Sequence, residues 1–234
     1  AELERAVDLT ESTLKVEDTA FALESSTVAV GGQVISVRGL AGEYRDIFLP
    51  LYGSHQGHNA ALAIAAVESF LGEGTQALVG DVLAEGLATA TSPGRLQLIG
   101  TEPSVLVDAA HNPHGAAALA EALAAYFTFD EIAVVLGVLH DKDVDGIIAA
   151  LAPMATTFFV TQSGSDRAIA ADELAGIVAR VAPEHPVQAF ENLEFAVQDA
   201  RVWAAHAPRR AVLVTGSITL IGDVMALATA EGWK

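Results

Sequence analysis

The amino-acid sequence predicts an α/β fold whose main feature is a largely parallel β-sheet flanked by helices. From about residue 92 onward, short apolar runs rich in β-branched residues alternate with longer segments of helix-forming composition. Several of the short runs lead into polar or small residues, as strands do where a helix is about to begin. Hydrophobic residues make up 52% of the 234 residues, which provides ample material for a buried core.

In the region 92–234 the strands are predicted at residues 96–100, 105–108, 132–136, 157–161, 187–190 and 211–215. The helices are predicted at residues 113–126, 144–152, 171–181, 193–206 and 218–231. This alternation indicates βαβ units, and the architecture is Rossmann-like although no G-x-G-x-x-G motif follows its strands. The first two strands are close in sequence, so an antiparallel hairpin at the sheet edge is the alternative for that pair.

Residues 1–91 have a different pattern. Loose alternation over 19–49, with turn signals at Gly31-Gly32 and at 39–42, favours antiparallel hairpins. Two helices are predicted next, at about 58–71 and 75–89, and the turn at 92–94 marks a domain boundary. The segment 60–71 is apolar on nearly every side, so we expect it to need a covering partner that this chain does not supply.

Composition excludes several classes of function. The net charge of −18 opposes nucleic-acid binding, and Arg209-Arg210 is the only adjacent basic pair. No apolar run is long enough for a membrane span, and the acidic first residues do not resemble a targeting peptide. The absence of cysteine excludes disulfides and agrees with a reducing compartment, so we expect a cytoplasmic protein. Anionic ligands would have to be held by helix N-termini, single arginines or metal ions.

The segment from Val105 to Gly115 contains the strongest local signal for a binding site. An apolar strand leads into Asp108 and His111, after which Asn112 can cap a helix that begins at Pro113. In open α/β sheets the ligand binds at the carboxyl ends of the strands. Ordinary capping explains the Asn-Pro pair equally well, and Asp108 could simply hydrogen-bond the loop.

Other strand ends place further polar residues at the same edge, in the loops 137–143, 161–165 and 215–217. Lys142 is the only lysine between residues 16 and 233, whereas the flanking Asp141 and Asp143 fit a solvated turn and a helix cap. Gly216-Ser217 resembles a phosphate-binding helix start. Arg95 is either a surface charge or an anion clamp. The pair His55 and His58 fits a polar loop better than a metal site, because no third ligand lies nearby in sequence.

Taken together, these segments resemble the folylpolyglutamate synthase and dihydrofolate synthase family, within the Mur-type ATP-dependent amide ligases. The segment His55-Gln56-x-x-Asn59 resembles the end of the family's central ATPase domain. Four further segments resemble its C-terminal domain and occur in the right order: Pro93-Gly94-Arg95, Asp108-Ala-Ala-His-Asn-Pro113, Gly137-x-x-x-Asp141-Lys-Asp143 and Gly216-Ser217. The family usually has glycine where Ala109 stands, a change that leaves the backbone path intact if φ there is negative.

The resemblance implies two domains. Residues 1–91 would be the C-terminal portion of a central ATP-binding domain, and residues 92–234 the C-terminal glutamate ligase domain. The family's phosphate-binding loop, of the Gly-Thr-Asn-Gly-Lys kind, does not occur in this sequence. We therefore expect the chain to be the C-terminal half of a longer enzyme and to be inactive alone. The Mg²⁺ ligands are expected in the other half.

Residue roles follow from the resemblance position by position. For ATP, Asn59 would contact the adenine, Arg95 the phosphate or ribose, and Asp108 the ribose hydroxyls. Lys142 is a further candidate for the nucleotide. His111 and Ser217 are the candidates for L-glutamate, with their donors holding its carboxylates.

The activity implied is ATP-dependent addition of L-glutamate to folate or dihydropteroate through an acyl phosphate, with ATP and Mg²⁺ as cofactors. The expected partners are small molecules only, with no nucleic acid and no membrane, and the family suggests a monomer. The alternatives are a peptidoglycan-type Mur ligase, a cyanophycin-type ligase, or a non-catalytic α/β ligand-binding module.

Overall fold

The computed structural model describes residues 2–10 and 12–233. The chain forms two compact units, residues 1–91 and residues 92–234. Among the helices of the described residues, none combines the length and the apolar character that a membrane crossing requires.

The first unit contains a three-stranded antiparallel sheet in the order β1-β2-β3. Its elements are α1 (Glu2–Thr10), β1 (Ala22–Ala29), β2 (Gly32–Arg38), β3 (Glu43–Leu49), α2 (Ser54–Gly72) and α3 (Gly80–Ala88). The predicted hairpins and the two helices after them are confirmed. Helix α1 was not predicted, and α3 is shorter than the predicted 75–89. Helix α3 begins later than predicted because a tertiary hydrogen bond holds the segment before it. The Leu78 N–H donates to the Tyr44 hydroxyl at 2.8 Å.

The core of the first unit lies between one face of the sheet and helix α2. Alternate residues of β2 and β3 are buried, among them Ile35, Val37 and Ile47, as expected for a half-covered sheet. They pack in one cluster with Ala61 and Ile64 of α2. Small residues on the helix allow this close approach to the strands.

A buried carboxylate joins this core to its loops. Glu68 of α2 is fully buried, and its Oε1 accepts from the Tyr44 hydroxyl at 2.6 Å. Its Oε2 accepts from the N–H groups of Leu40 and of Ala41, the latter at 3.3 Å. Burial, followed by the bond to Glu68, raises the pKa of Tyr44 above its usual value. The network therefore fixes the β2–β3 turn and, through Leu78, the approach to α3.

The other side of α2 is apolar and exposed. Leu62, Phe70 and Leu71 have exposed fractions of 56%, 88% and 66%. Between α2 and α3 lies a groove of about 460 Å³ whose lining includes Val67 and Val82. This surface agrees with the sequence-based expectation that α2 is apolar on nearly every side.

The second unit is a six-stranded sheet in the order β4-β5-β9-β6-β7-β8. The strands are β4 (Gln97–Thr101), β5 (Ser104–Asp108), β6 (Glu131–Leu136), β7 (Thr157–Thr161), β8 (Val187–Phe190) and β9 (Arg210–Thr215). The helices are α4 (Pro113–Tyr126), α5 (Val144–Leu151), α6 (Ala171–Val181), α7 (Leu193–Ala205) and α8 (Ile218–Glu231). A short 3₁₀ turn, Ala152–Met154, follows α5.

The predicted α/β class and the mainly parallel sheet are confirmed. Only β4 is antiparallel, and it pairs with β5 at the sheet edge, so the hairpin alternative holds for these two strands. The last strand, β9, lies in the middle of the sheet between β5 and β6. Its residues from Ala211 to Thr215 are all buried, because helices cover both faces of a central parallel strand.

Candidate functional site

The carboxyl ends of the central strands meet at one edge of the second unit. Asp108 of β5 and Leu136 of β6 both lie opposite Thr215 of β9 in the strand register. Because these strands are parallel, the loops that follow them emerge side by side. Four residues predicted from the sequence belong to this edge or to the turn at Gly94–Leu96 that is bonded to it: Arg95, Asp108, His111 and Ser217.

Asp108 holds two loops together. It is 7% exposed, and its Oδ2 accepts from the Leu96 N–H at 2.8 Å while its Oδ1 accepts from the Ala110 N–H at 2.8 Å. A third bond, from the Ala109 N–H to the Gly94 carbonyl at 2.8 Å, joins the same two segments. The interpretation that Asp108 hydrogen-bonds the loop is thus confirmed. Carboxylate oxygens accept more than one hydrogen bond, so these contacts are compatible with a ribose ligand.

The turn that carries Arg95 has an unusual backbone. Gly94 has φ of +73°, and Leu96, a buried non-glycine residue, has φ of +41°. Glycine adopts a positive φ readily, whereas a non-glycine residue such as Leu96 pays about 1–3 kcal/mol and keeps it only where the surroundings enforce it. Here the bond from Leu96 to Asp108 and the buried Leu96 side chain supply that constraint. Arg95 itself is exposed, and within the described residues its guanidinium forms no ion pair, which suits an anion clamp.

His111 has a defined tautomer. Its Nδ1 lies 2.9 Å from the Ala109 carbonyl oxygen, which can only accept, so Nδ1 carries the hydrogen. Asn112 caps α4, with its Oδ1 accepting from the Gly115 N–H at 2.8 Å, and Pro113 is the first helical residue, as predicted. Ala109 is not among the residues with positive φ, so alanine fits where the family usually has glycine.

Ser217 precedes α8 and is only 2% exposed. Its side chain does not cap the helix. Instead, Ser217 Oγ lies 2.7 Å from Thr219 Oγ1, and Thr219 Oγ1 donates to Ser163 Oγ at 3.2 Å. Sequence reasoning missed Thr219 and Ser163 as members of the site. Ser163 lies in a loop that was placed at this edge, but no sequence signal pairs it with a residue 56 positions away.

Gly216 is the point of closest backbone approach. Its φ is +109°, and its N–H donates to the Ala110 carbonyl at 3.1 Å. A Cβ placed on this residue would lie 2.6 Å from the Gly137 carbonyl oxygen. The Gly137 N–H in turn donates to the Thr215 carbonyl at 3.2 Å, so the loops after β5, β6 and β9 form one bonded unit.

Ion pairs to Asp141 hold the loop 141–143 in place. Lys142 Nζ lies 3.0 Å from Asp141 Oδ2, and Arg167 Nη1 lies 3.5 Å from the other oxygen of Asp141. The bond from Lys142 is the main cause that lowers the pKa of Asp141. Asp143 caps α5 through the Gly146 N–H at 3.0 Å, as predicted. The assignment of Lys142 to the nucleotide stays a prediction, because in this structure its ammonium pairs with Asp141.

The remaining candidate, Asn59, lies on α2 in the first unit, where its Nδ2 donates to Gln56 Oε1 at 3.3 Å. His58 Nδ1 lies 2.6 Å from Glu17 Oε1, so this imidazole has an acidic partner. Among the side chains that the structure describes, no group of three or more His, Asp or Glu could hold a metal ion.

Comparison with known proteins decides the family. Residues 94–218 match the family described as Mur ligase, glutamate ligase domain. This chain belongs to the Mur ligase family. The matched stretch begins at the Gly94 turn and ends just after Ser217, so it includes Arg95, Asp108, His111 and Ser217.

Within the Mur ligases, the chain is similar to folate enzymes. It is 45% identical over 224 residues to the dihydrofolate synthase/folylpolyglutamate synthase of Mycobacterium tuberculosis, covering 90% of this chain and 46% of that protein. It is 32% identical over 184 residues to the Bacillus subtilis protein of the same name, covering 77% and 41%. The chain therefore spans about half the length of these relatives.

Among solved structures, the chain is similar to Mycobacterium tuberculosis folylpolyglutamate synthase complexed with ADP. The TM-score is 0.91 at 44% identity, over 97% of this chain and 51% of that one. The motif-based resemblance to the folylpolyglutamate and dihydrofolate synthases is thereby confirmed.

Proposed function

We propose that this chain is the C-terminal half of an ATP-dependent amide ligase that adds L-glutamate to folate or dihydropteroate. The observation that carries the proposal is the clamp formed by Asp108, which holds a strained turn and leaves Arg95 exposed, with no ion pair among the described residues. An unpaired guanidinium on a fixed backbone suits a nucleotide phosphate. A similar chain, the Mycobacterium tuberculosis synthase, carries ADP.

The chemistry requires activation because a carboxylate is a poor electrophile. Transfer of the ATP γ-phosphoryl group converts it into an acyl phosphate, and the glutamate amine then displaces phosphate to form the amide. The protein's contribution is to position the reactants and to offset charge repulsion. In the second unit, Arg95 and the loop ends around Asp108 would hold the nucleotide, with Lys142 as a further candidate. In the first unit, Asn59 is the candidate for contacting the adenine.

Mg²⁺ would shield the phosphate oxygens while ATP is bound. The residues described here do not supply a three-ligand metal group, so its protein ligands would come from another part of the enzyme. The phosphate-binding loop would come from the same part, because no such loop occurs in this sequence. Residues 1–91 would complete the ATP-binding domain and residues 92–234 would form the glutamate ligase domain. A monomeric, cytoplasmic enzyme is the form we expect.

The decisive experiment is an assay of glutamate-dependent phosphate release by the full-length enzyme. Turnover is expected with dihydropteroate or tetrahydrofolate and not with muramyl peptides. The isolated 234-residue chain is expected to show none, because it has no phosphate-binding loop. Turnover with muramyl peptides alone would assign a peptidoglycan ligase. A full-length protein that releases no phosphate with any acceptor would indicate a binding module.

Replacing Asp108 tests the nucleotide assignment. In the full-length enzyme, Asp108→Ala is expected to weaken ATP binding by about 1–3 kcal/mol, the range for a lost charge-assisted hydrogen bond. The loss would have two sources, the direct contact to ribose and the release of the Leu96 backbone that fixes the Arg95 turn. Isothermal titration calorimetry with a non-hydrolysable ATP analogue measures the effect.

The matched control is Asp199→Ala, an exposed carboxylate on α7, for which unchanged affinity is expected. Arg95→Ala should weaken ATP binding by a similar amount if the two residues act together. Nucleotide affinity that is the same in Asp108→Ala and in the unmodified enzyme would remove Asp108 from the ATP site.

A further inference from the structure

A buried glutamine of the first unit holds the segment that leads into α2. Gln33, the second residue of β2, is fully buried. Its Nε2 donates to the Leu51 carbonyl at 2.8 Å and to the Gly53 carbonyl at 3.0 Å. Its Oε1 accepts from the Ser26 hydroxyl at 2.6 Å. Because a backbone carbonyl oxygen can only accept a hydrogen bond, this orientation of the amide is fixed.

The segment that Gln33 holds is also the point where α2 begins. Gly53 precedes the helix, has φ of +99° and has no side chain with which to cap it. Its carbonyl accepts from the Gln56 N–H at 3.0 Å as well as from Gln33. A Cβ placed on Gly57 would lie 3.5 Å from Gln33 Oε1, so the first turn of α2 lies directly against this amide. The position of that turn therefore depends on a side chain of β2.

The same turn orients Asn59. Gln56 is 6% exposed, and its Oε1 accepts from Asn59 Nδ2 at 3.3 Å. That bond uses one amide hydrogen of Asn59, which leaves the other N–H and the carbonyl oxygen of this exposed side chain for a ligand. A donor beside an acceptor matches the 6-amino group and N7 of adenine. Hypoxanthine has an oxygen in place of the amino group, so it presents two acceptors at the same edge.

We propose that Gln33 is a positioning residue for adenine recognition, acting through the Gly53 carbonyl and Gln56 to fix the Asn59 amide. Being fully buried, Gln33 acts through these residues rather than by touching the base. Without its two donors, the segment 51–53 is no longer bonded to β2 through this side chain, and the first turn of α2 can shift. The inference rests on the proposed function, in which Asn59 contacts the adenine of ATP.

A positioning role and a merely structural role of Gln33 predict different kinetics. If Gln33 only stabilises the fold, its loss lowers the activity with every nucleotide to the same extent. If it positions Asn59, its loss weakens the binding of adenine nucleotides and has little effect on inosine triphosphate (ITP), which does not match the donor and acceptor of Asn59. The effect should lie in KM rather than kcat, because the base is remote from the phosphoryl group that is transferred.

The test measures kcat/KM with ATP and with ITP in the full-length enzyme. Gln33→Met keeps the length of the side chain and removes both donors. It is expected to raise the KM for ATP about tenfold, to leave kcat within about twofold, and to lower the ATP/ITP ratio of kcat/KM about tenfold. Gln56→Met interrupts only the last link and is expected to lower the ratio about fivefold.

Tyr44→Phe is the matched control. It removes a buried hydrogen bond to the other end of α2, the 2.6 Å bond to Glu68, and is expected to leave the ATP/ITP ratio unchanged. An unchanged ratio in Gln33→Met, or an equal fall in Tyr44→Phe, would overturn the proposal. If Gln33→Met does not fold, Gln33→Asn replaces it, since its amide is one methylene group too short to keep both carbonyl bonds. A ratio that Gln33→Asn leaves unchanged overturns the proposal as well.

Asn59→Ala separates the failure of this inference from the failure of the proposed function. A lower ratio in Asn59→Ala with an unchanged ratio in Gln33→Met rejects only the role of Gln33. An unchanged ratio in Asn59→Ala rejects the adenine contact and the role of Gln33 together, while glutamate-dependent phosphate release still supports the ligase. If no acceptor gives phosphate release, the ligase function is rejected, and the ATP/ITP ratio of Kd values from calorimetry decides the role of Gln33.

Discussion

Gly216→Ala is expected to destabilise the second unit by about 3–5 kcal/mol and to abolish the proposed glutamate transfer in the full-length protein. The residue has φ of +109°, a conformation that side-chain-bearing residues rarely adopt. The new Cβ would also lie 2.6 Å from the Gly137 carbonyl oxygen, which belongs to backbone and cannot rotate away. Relief would require the loops after β6 and β9 to separate, and this would displace Ser217 and Thr219.

Urea unfolding monitored by tryptophan fluorescence measures this effect, because both tryptophans, Trp203 and Trp233, lie in the second unit. Gly222→Ala is the matched control in the same region. A Cβ there would meet no atom within 4 Å, and alanine in an exposed helix is expected to stabilise by about 0.5–1 kcal/mol. If Gly216→Ala unfolds at the same urea concentration as the unmodified protein, the close packing at Gly216 does not exist in solution.

Glu68→Ala is expected to destabilise the first unit by about 3–5 kcal/mol. The substitution removes the acceptor for the buried Tyr44 hydroxyl and for the partly buried N–H groups of Leu40 and Ala41, and it leaves these donors without Glu68 as a partner. Each unsatisfied buried donor costs about 1–3 kcal/mol, although the turn can relax toward water in part. Tyr44→Phe should cost less, because it leaves the backbone bonds to Glu68 intact.

Hydrogen exchange of the amides in β2 and β3 measures the local opening free energy of this unit. Glu85→Ala, an exposed glutamate on α3, is expected to change it by less than about 0.5 kcal/mol. Faster exchange is expected in Glu68→Ala throughout β2 and β3. Exchange rates equal to those of the Glu85→Ala control would mean that the buried carboxylate is not a structural requirement.

The local signals in the sequence predicted much of the fold. The helix at 113–126 begins where Asn112 and Pro113 specify a start, and the run of small and apolar residues after them continues it. For β4 and β5 the short connection left an antiparallel hairpin as an alternative to parallel pairing, and the structure has the hairpin. The start of α3 could not be predicted, since the Leu78 N–H is bonded to a tyrosine 34 positions away.

Only part of the candidate site could be predicted, because some of its contacts join residues that are far apart in the sequence. The rule for parallel sheets placed Asp108, His111 and Ser217 at one edge, and the strand register confirms that placement of their strands. Their partners were not predictable, because the bonds from Asp108 to Leu96 and from Thr219 to Ser163 depend on how separate loops meet.

For this protein, the sequence alone determined the α/β class, the order of strands and helices in the second unit, and the edge of the sheet where the candidate site residues meet. These properties depend on hydrophobic periodicity, on capping residues and on the geometry of parallel strands, all of which are local or general. Only the tertiary structure decided which polar groups at that edge are donors, which are acceptors, and which are buried. A hydroxyl or imidazole takes its polarity from the neighbour it bonds, and for Thr219 that neighbour is brought close only by the folded chain.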